Sequence, residues 1–145
     1  MTYCKDSDMK KYRPNILDLG VSDWESQRNE AYEMINRVIT ARWYREAAKE
    51  MGYDPDVTEF NADYVEDNTF VRLEAFKALE LAYMHLMKDG QEADGFERAM
   101  KLFRNRFNEE LDLLLGIGIN YDWSGSGLVD DDEKYIRPQR RLHRS

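Results

Sequence analysis

Apolar residues recur at intervals of three and four along three stretches of the chain, which is the spacing of one face of an α-helix. The first stretch runs from Asp23 to Met51. Before it, Ser22 and Glu25 fit a capping box, in which each side chain pairs with a backbone N–H that the first turn leaves free. We predict a long helix that ends at Gly52, with this apolar face: Ala31, Ile35, Val38, Ile39, Trp43, Ala47 and Met51.

Two further helices are predicted in the second half of the chain. One runs from about Asn68 to Lys88, before Gly90, with the apolar positions Leu73, Phe76, Leu79, Tyr83, Leu86 and Met87. The other begins at a second capping pattern, residues 94–97, and ends at Gly116, because glycine is common directly after helices. Its apolar face is Phe96, Ala99, Met100, Phe103, Phe107, Leu111, Leu114 and Leu115. The alternation typical of strands is scarce. The predicted fold class is therefore all-α, a small helical bundle of three principal helices plus short pieces, with an extended C-terminal arm.

Charge and composition change at Gly116. The 145 residues include 29 acidic and 21 basic ones, for a net charge of −8. Beyond Gly116 the charges are sorted, because an acidic block at residues 130–133 precedes a basic block, Arg137, Arg140, Arg141 and Arg144. We therefore predict three parts: an N-terminal lead-in over residues 1–21, a helical domain over residues 22–116 and an extended C-terminal arm over residues 117–145.

The composition disfavours several classes of protein. A sequence pI near 4.8 argues against a protein whose whole surface binds nucleic acid or an anionic membrane. No apolar run approaches the roughly 18 residues of a membrane span, and the N-terminus lacks a secretion signal. Cys4 is the one cysteine and cannot form an internal disulfide, and His85 is expected to be a partly exposed helix residue. Since no phosphate loop or HExxH motif is present, we expect no enzyme activity, no cofactor and no metal site.

Residues 122–133 match the spacing of an EF-hand calcium loop. Counted from Asp122, Gly127 falls at the turn position and Glu133 at the final carboxylate position. However, Ser124 and Ser126 stand where calcium loops usually carry acids, and the preceding helix is predicted to end seven residues early. The other interpretation is a turn whose aspartates accept local hydrogen bonds.

The basic block also permits more than one interpretation. Arginines neutralise phosphates, which would suit a nucleic-acid-associated protein. Interleaved apolar residues suit docking on a protein surface better, and a solvated terminus is the third possibility. We expect the helical body to fold without the residues from Gly118 onward. The expected partner-binding residues of the arm are Tyr121, Trp123, Tyr135, Ile136, Arg137, Arg140, Arg141, Leu142 and Arg144.

One string of residues carries a resemblance to a known family. Phe107 to Asp122 reads FNEELDLLLGIGINYD and leads into the acidic and then basic arm. Weaker support comes from Val21 to Trp24, which opens the first long helix, and from the spacing of Tyr83 and Leu86. Over residues 20–145 this layout resembles the head–tail connector (adaptor, or neck) proteins of tailed bacteriophages.

The resemblance implies a structural virion protein located in the neck and made in the host cytoplasm. Such proteins form a homo-oligomeric ring, typically of twelve copies, between the portal protein and the next neck or tail protein. Packaged DNA would pass the lumen without sequence-specific binding, and no membrane would be involved. The arm would reach the portal or a neighbouring subunit, and we expect four exposed aromatic residues at subunit contacts: Trp24, Trp43, Tyr44 and Tyr53. The alternative is a small calcium-binding or nucleic-acid-associated regulatory module that uses the arm.

Overall fold

The computed structural model describes residues 2–88 and 93–138, and in it the chain is all-α, as predicted. Between the helices lie 3₁₀ turns at Ile16–Asp18, Ala62–Tyr64 and Asp131–Glu133. Within the described ranges the chain forms no β-strand, only isolated bridges that join Val65 to Tyr121 and Ile119 to Ile136. The helices are α1 (Asp6–Lys10), α2 (Glu25–Ile39), α3 (Arg45–Glu50), α4 (Val71–Lys88) and α5 (Ala93–Ile117).

The three principal helices of the prediction are α2 with its continuation into α3, then α4, then α5. A π-helical turn, Thr40–Tyr44, joins α2 to α3. Because a π turn contains an extra residue, it shifts the buried face by one position. Before the turn single residues are buried at every fourth position, whereas after it adjacent pairs are buried, first Trp43 with Tyr44 and then Ala47 with Ala48. None of the described helices is both long enough and apolar enough to cross a lipid bilayer.

The chain forms two compact units. Unit 1 consists of Met1–Ile35 and Asp67–Leu113, and unit 2 consists of Asn36–Glu66 and Leu114–Ser145. The division falls inside α2 and inside α5, so each unit is built from two separate parts of the sequence.

In unit 1, α4 is buried on nearly all sides rather than along one stripe, and this burial includes three charged residues. The Lys77 ammonium lies 2.7 Å from a Glu80 carboxylate oxygen and 4.3 Å from the centre of the Phe107 ring. The guanidinium of Arg104 binds the other oxygen of Glu80 at 3.2 Å. Pairing of this kind lets charges be buried, since an unpaired buried charge would destabilise the fold strongly.

Glu74, the remaining buried charged residue of α4, binds the N-terminal residues. The backbone N–H groups of Tyr3 and Cys4 donate to the Glu74 carboxylate at 2.7 and 3.2 Å, and the Cys4 thiol lies 3.2 Å from it. Burial raises the pKa of the Glu74 carboxyl, although these donors and Arg28 oppose the rise. Burial, followed by the neighbouring Glu74, also raises the pKa of the Cys4 thiol. The thiol therefore stays protonated and serves as a packed core residue.

Candidate functional site

The candidate site is the C-terminal segment, defined as residues 118–138, which follows α5 within unit 2. It is extended rather than helical, apart from its one 3₁₀ turn. Gly118 begins it with a φ of +99°, and a Cβ at this position would lie only 2.5 Å from the carbonyl carbon of Tyr135. This close approach allows the N–H of Ile119 to donate to the carbonyl of Ile136 at 3.1 Å. The two ends of the segment are thereby held side by side.

The first part of the segment inserts two aromatic side chains among rings from the other part of unit 2. Trp123 stacks on Tyr44 with ring centroids 5.5 Å apart and on Tyr53 at 5.6 Å. Tyr121 stacks on Phe60 at 5.7 Å and meets Trp43 edge-on at 5.8 Å. Such pairs add to the apolar area that they bury. The aromatic cluster consists of Trp43, Tyr44, Tyr53, Phe60, Tyr64, Tyr121 and Trp123.

Polar atoms of the aromatic cluster form hydrogen bonds that hold the C-terminal segment in position. The indole N–H of Trp43 donates to the carbonyl of Ile136 at 2.8 Å, and the Tyr53 hydroxyl donates to the carbonyl of Trp123 at 2.9 Å. The Tyr121 hydroxyl accepts from the N–H of Asn61 at 2.9 Å. Burial raises the pKa of the Tyr121 phenol, so the hydroxyl remains neutral. Side chain to backbone bonds of this type hold an irregular segment in one conformation.

The burial of these rings corrects two expectations drawn from the sequence. Trp24 is fully buried, and Trp43 and Tyr44 are each 1% exposed, so the idea that they are free for subunit contacts is wrong; Tyr53 is half-buried. Tyr121 and Trp123 are 2% and 6% exposed, so neither offers a surface to a partner. The physical reason is that packing each of these side chains inside its unit removes more apolar area from water than a rim position would.

Two carboxylates organise the loop at residues 122–133. Asp122 accepts hydrogen bonds from the N–H of Gly127 at 2.8 Å and of Ser126 at 3.2 Å, and from the hydroxyls of Ser124 and Ser126. Glu133 accepts from the N–H groups of Ser124 and Asp130 at 2.8 and 2.9 Å. Removal from water would by itself raise the pKa of the Asp122 carboxyl, but these donors outweigh it and lower that pKa.

This arrangement bears on the calcium hypothesis. Both oxygens of Asp122 and both oxygens of Glu133 face protein donors, as they do in a turn capped by its own side chains. In the described part of the chain, no group of three or more His, Cys, Asp or Glu side chains is placed to hold a metal ion. The geometry therefore favours the self-capped turn over a calcium loop at these residues.

The end of the segment presents side chains outward. Tyr135 is 62% exposed and has a φ of +52°, which is unusual for a residue with a Cβ, and its N–H donates to the side-chain oxygen of Asn120. Ile136 is half-buried. The exposed Arg137 donates to the carbonyl of Gly116 at 3.0 Å, where a cation also interacts favourably with the last turn of α5. The backbone thus holds Tyr135 in place while its ring points into solvent.

Of the nine residues expected in the binding arm, Tyr135 and Arg137 are exposed and Ile136 is half-buried. Two others, Tyr121 and Trp123, are buried. The remaining four, Arg140, Arg141, Leu142 and Arg144, lie outside the described residues. Sequence reasoning missed Gly118 and Asn120, which hold Tyr135. The two glycines that flank Ile117, at positions 116 and 118, were a signal for Gly118, because a glycine beyond a helix end often supplies a positive φ. No family model, no curated protein and no solved structure matches this chain.

Proposed function

We propose that this protein is a structural component of a tailed-phage particle, a head–tail connector that binds the portal protein through the end of its C-terminal segment. It would act by assembly, as a ring of copies between the portal and the next neck or tail protein, around the path of the packaged DNA. The resemblance of residues 20–145 to connector proteins is one support for this proposal. The other is the way in which the fold displays Tyr135.

The exposed Tyr135 ring is the observation that carries the proposal. A residue with a Cβ adopts a positive φ at an energetic cost of about 1–2 kcal/mol, and such conformations concentrate at sites of function. Here Asn120 and the close approach of Gly118 maintain that backbone. A tyrosine in a fixed position loses little conformational freedom on binding, which makes it an effective anchor in protein interfaces.

The basic residues that follow Tyr135 fit a protein partner with acidic groups beside an apolar pocket, whereas the exposed Asp131 and Asp132 precede it. Arg137 is exposed next to it, and three further arginines follow within residues 139–145. Guanidinium groups form paired hydrogen bonds with carboxylates, so they add specificity to an aromatic anchor. In the sequence, these four arginines all lie within nine residues of Tyr135.

The test is binding to the portal protein encoded with this chain, followed by electron microscopy of the complex. We expect a ring on the portal for the wild-type protein. Replacing Tyr135 by glycine removes the ring system while accommodating the positive φ, so the fold is kept. Loss of an aromatic anchor typically weakens binding by about 2 kcal/mol or more, which corresponds to roughly 30-fold in affinity.

Leu128 supplies the matched control, because it is 76% exposed on the same segment but lies outside the proposed surface. Leu128→Ala should change the affinity by less than about 2-fold, as expected for an exposed residue outside an interface hot spot. Equal effects of the two substitutions would contradict a specific role for Tyr135. Failure of the wild-type protein to bind the portal at any concentration would overturn the proposed function itself.

A further inference from the structure

Unit 1 carries an open groove, and none of the residues that line it belongs to the C-terminal segment. It has a volume of about 640 Å³ and lies between one turn of α4 and the outer face of α5. Phe76, Leu102 and Leu113 give it an apolar floor, and Leu102 and Leu113 are 39% and 53% exposed. Its polar lining consists of Arg72, Asn105, Arg106, Glu109 and Glu110.

Four of these residues form a stripe along α5. At about 100° per residue, positions 102, 106, 109 and 113 fall within roughly 60° of one another around the helix axis. The stripe therefore reads leucine, arginine, glutamate, leucine from its N-terminal to its C-terminal end. Among the described residues, the side chains of Arg106 and Glu109 have no hydrogen-bond or ion-pair partner, and both are exposed. Two opposite charges are thus left available between two exposed leucines.

The stripe is complementary to an antiparallel copy of itself. If a second α5 lies antiparallel with the two-fold axis beside residues 107 and 108, position 102 faces position 113, and position 106 faces position 109. Leu102 then meets the partner's Leu113, and Arg106 meets the partner's Glu109. The axis repeats both contacts, so one register satisfies two leucine pairs and two ion pairs. A two-fold interface requires this self-complementarity.

We infer that this face of α5 binds the same face of a second copy, forming an antiparallel two-fold dimer of the free protein. Leu113 follows Leu102 by 11 positions, which is about 16 Å along the helix, so the interface is small and its dissociation constant should be micromolar or weaker. A two-fold contact closes after two copies and cannot by itself propagate a ring. The inference is therefore independent of the proposed function, and either can fail without the other.

Sedimentation of the full chain across a concentration series up to several hundred micromolar tests the inference, because a weak dimer forms only at high concentration. We expect a monomer–dimer equilibrium. Arg106→Glu and Glu109→Arg should each weaken it at least 10-fold, because each places like charges opposite one another. The double variant restores opposite charges in both pairs and should return to within about 3-fold of wild type. Lys101→Glu, a charge reversal about 100° away on the same helix, should have no effect.

Cysteine crosslinking tests the register. A mixture of Leu102→Cys and Leu113→Cys proteins should form a disulfide dimer on oxidation, because these positions face each other. Leu102→Cys alone should not, since the two copies of that position lie about 16 Å apart and a disulfide needs Cα atoms within about 7 Å. The native Cys4 is buried and does not compete. A purely monomeric protein, no rescue by the double variant, or crosslinking of Leu102→Cys with itself would each overturn the inference.

Discussion

Gly118 is the residue on which the path of the C-terminal segment depends, and its replacement by alanine gives a quantitative test. A Cβ on Gly118 would lie 2.5 Å from the carbonyl carbon of Tyr135 and 3.0 Å from the carbonyl oxygen of Ile136. Both neighbours are backbone atoms, so the segment must move away. The φ of +99° adds strain that no movement of the neighbours relieves.

The expected loss of stability follows from these two effects. A left-handed backbone costs a residue with a Cβ about 1–2 kcal/mol. Displacement of Ile136 also breaks the hydrogen bonds that its carbonyl accepts from Ile119 and Trp43 at 3.1 and 2.8 Å. Each such bond contributes about 0.5–1.5 kcal/mol. Gly118→Ala should therefore lower the free energy of unfolding by about 2–5 kcal/mol, measured by urea denaturation followed by tryptophan fluorescence.

Two other glycines separate the contributions. Gly127 has a φ of +95° but open space around it, so Gly127→Ala should show only the strain, about 1–2 kcal/mol. Gly116 lies in α5 with nothing within 4 Å, so Gly116→Ala should stabilise the protein by about 0.5–1 kcal/mol. If Gly118→Ala is no more destabilising than Gly127→Ala, the close approach to Tyr135 does not hold the segment, and the reasoning is refuted.

Three further outcomes follow from unit 2. Trp43→Phe should destabilise the protein by about 1–3 kcal/mol more than Trp123→Phe in the same denaturation assay. Only the Trp43 substitution removes a hydrogen bond, because the buried indole N–H of Trp123 has no partner among the described residues. Equal losses of stability would contradict this. The pKa of the Asp122 carboxyl is lowered on folding, so the stability that it adds is present above its unfolded value of 3.8 and is lost as the pH falls through the folded-state pKa. The melting temperature of the wild type should therefore fall more steeply below pH 4 than that of Asp122→Asn, and parallel curves would refute the assignment. Deleting the chain from Gly118 onward should leave the other rings of the aromatic cluster exposed. The truncated chain should then bind a hydrophobic dye and lose its near-ultraviolet circular dichroism signal. A native signal would instead support the expectation from the sequence that the helical body folds without these residues.

The sequence by itself determined the fold class and the principal helices. Periods of three and four residues are a local signal, and a helix satisfies its backbone hydrogen bonds locally. The predicted helix ends were less accurate, because α2 begins at Glu25 rather than directly after Ser22, and α5 continues through Gly116 to Ile117. The face of α5 that carries Ala99, Phe103, Phe107 and Leu111 is buried as predicted. The partly exposed position of His85 was also predicted correctly.

Tertiary structure alone decided which side chains of the C-terminal segment face outward. An extended segment has no helical period, so its sequence does not reveal that Tyr121 and Trp123 pack inward while Tyr135 remains exposed. That choice depends on rings of residues 43–64, which lie more than fifty residues away along the chain. It also depends on the π turn, which brings Trp43 and Tyr44 to the same side. Burial of aromatic area and pairing of backbone groups across such distances are properties of the folded chain, because neither partner signals the other in the local sequence.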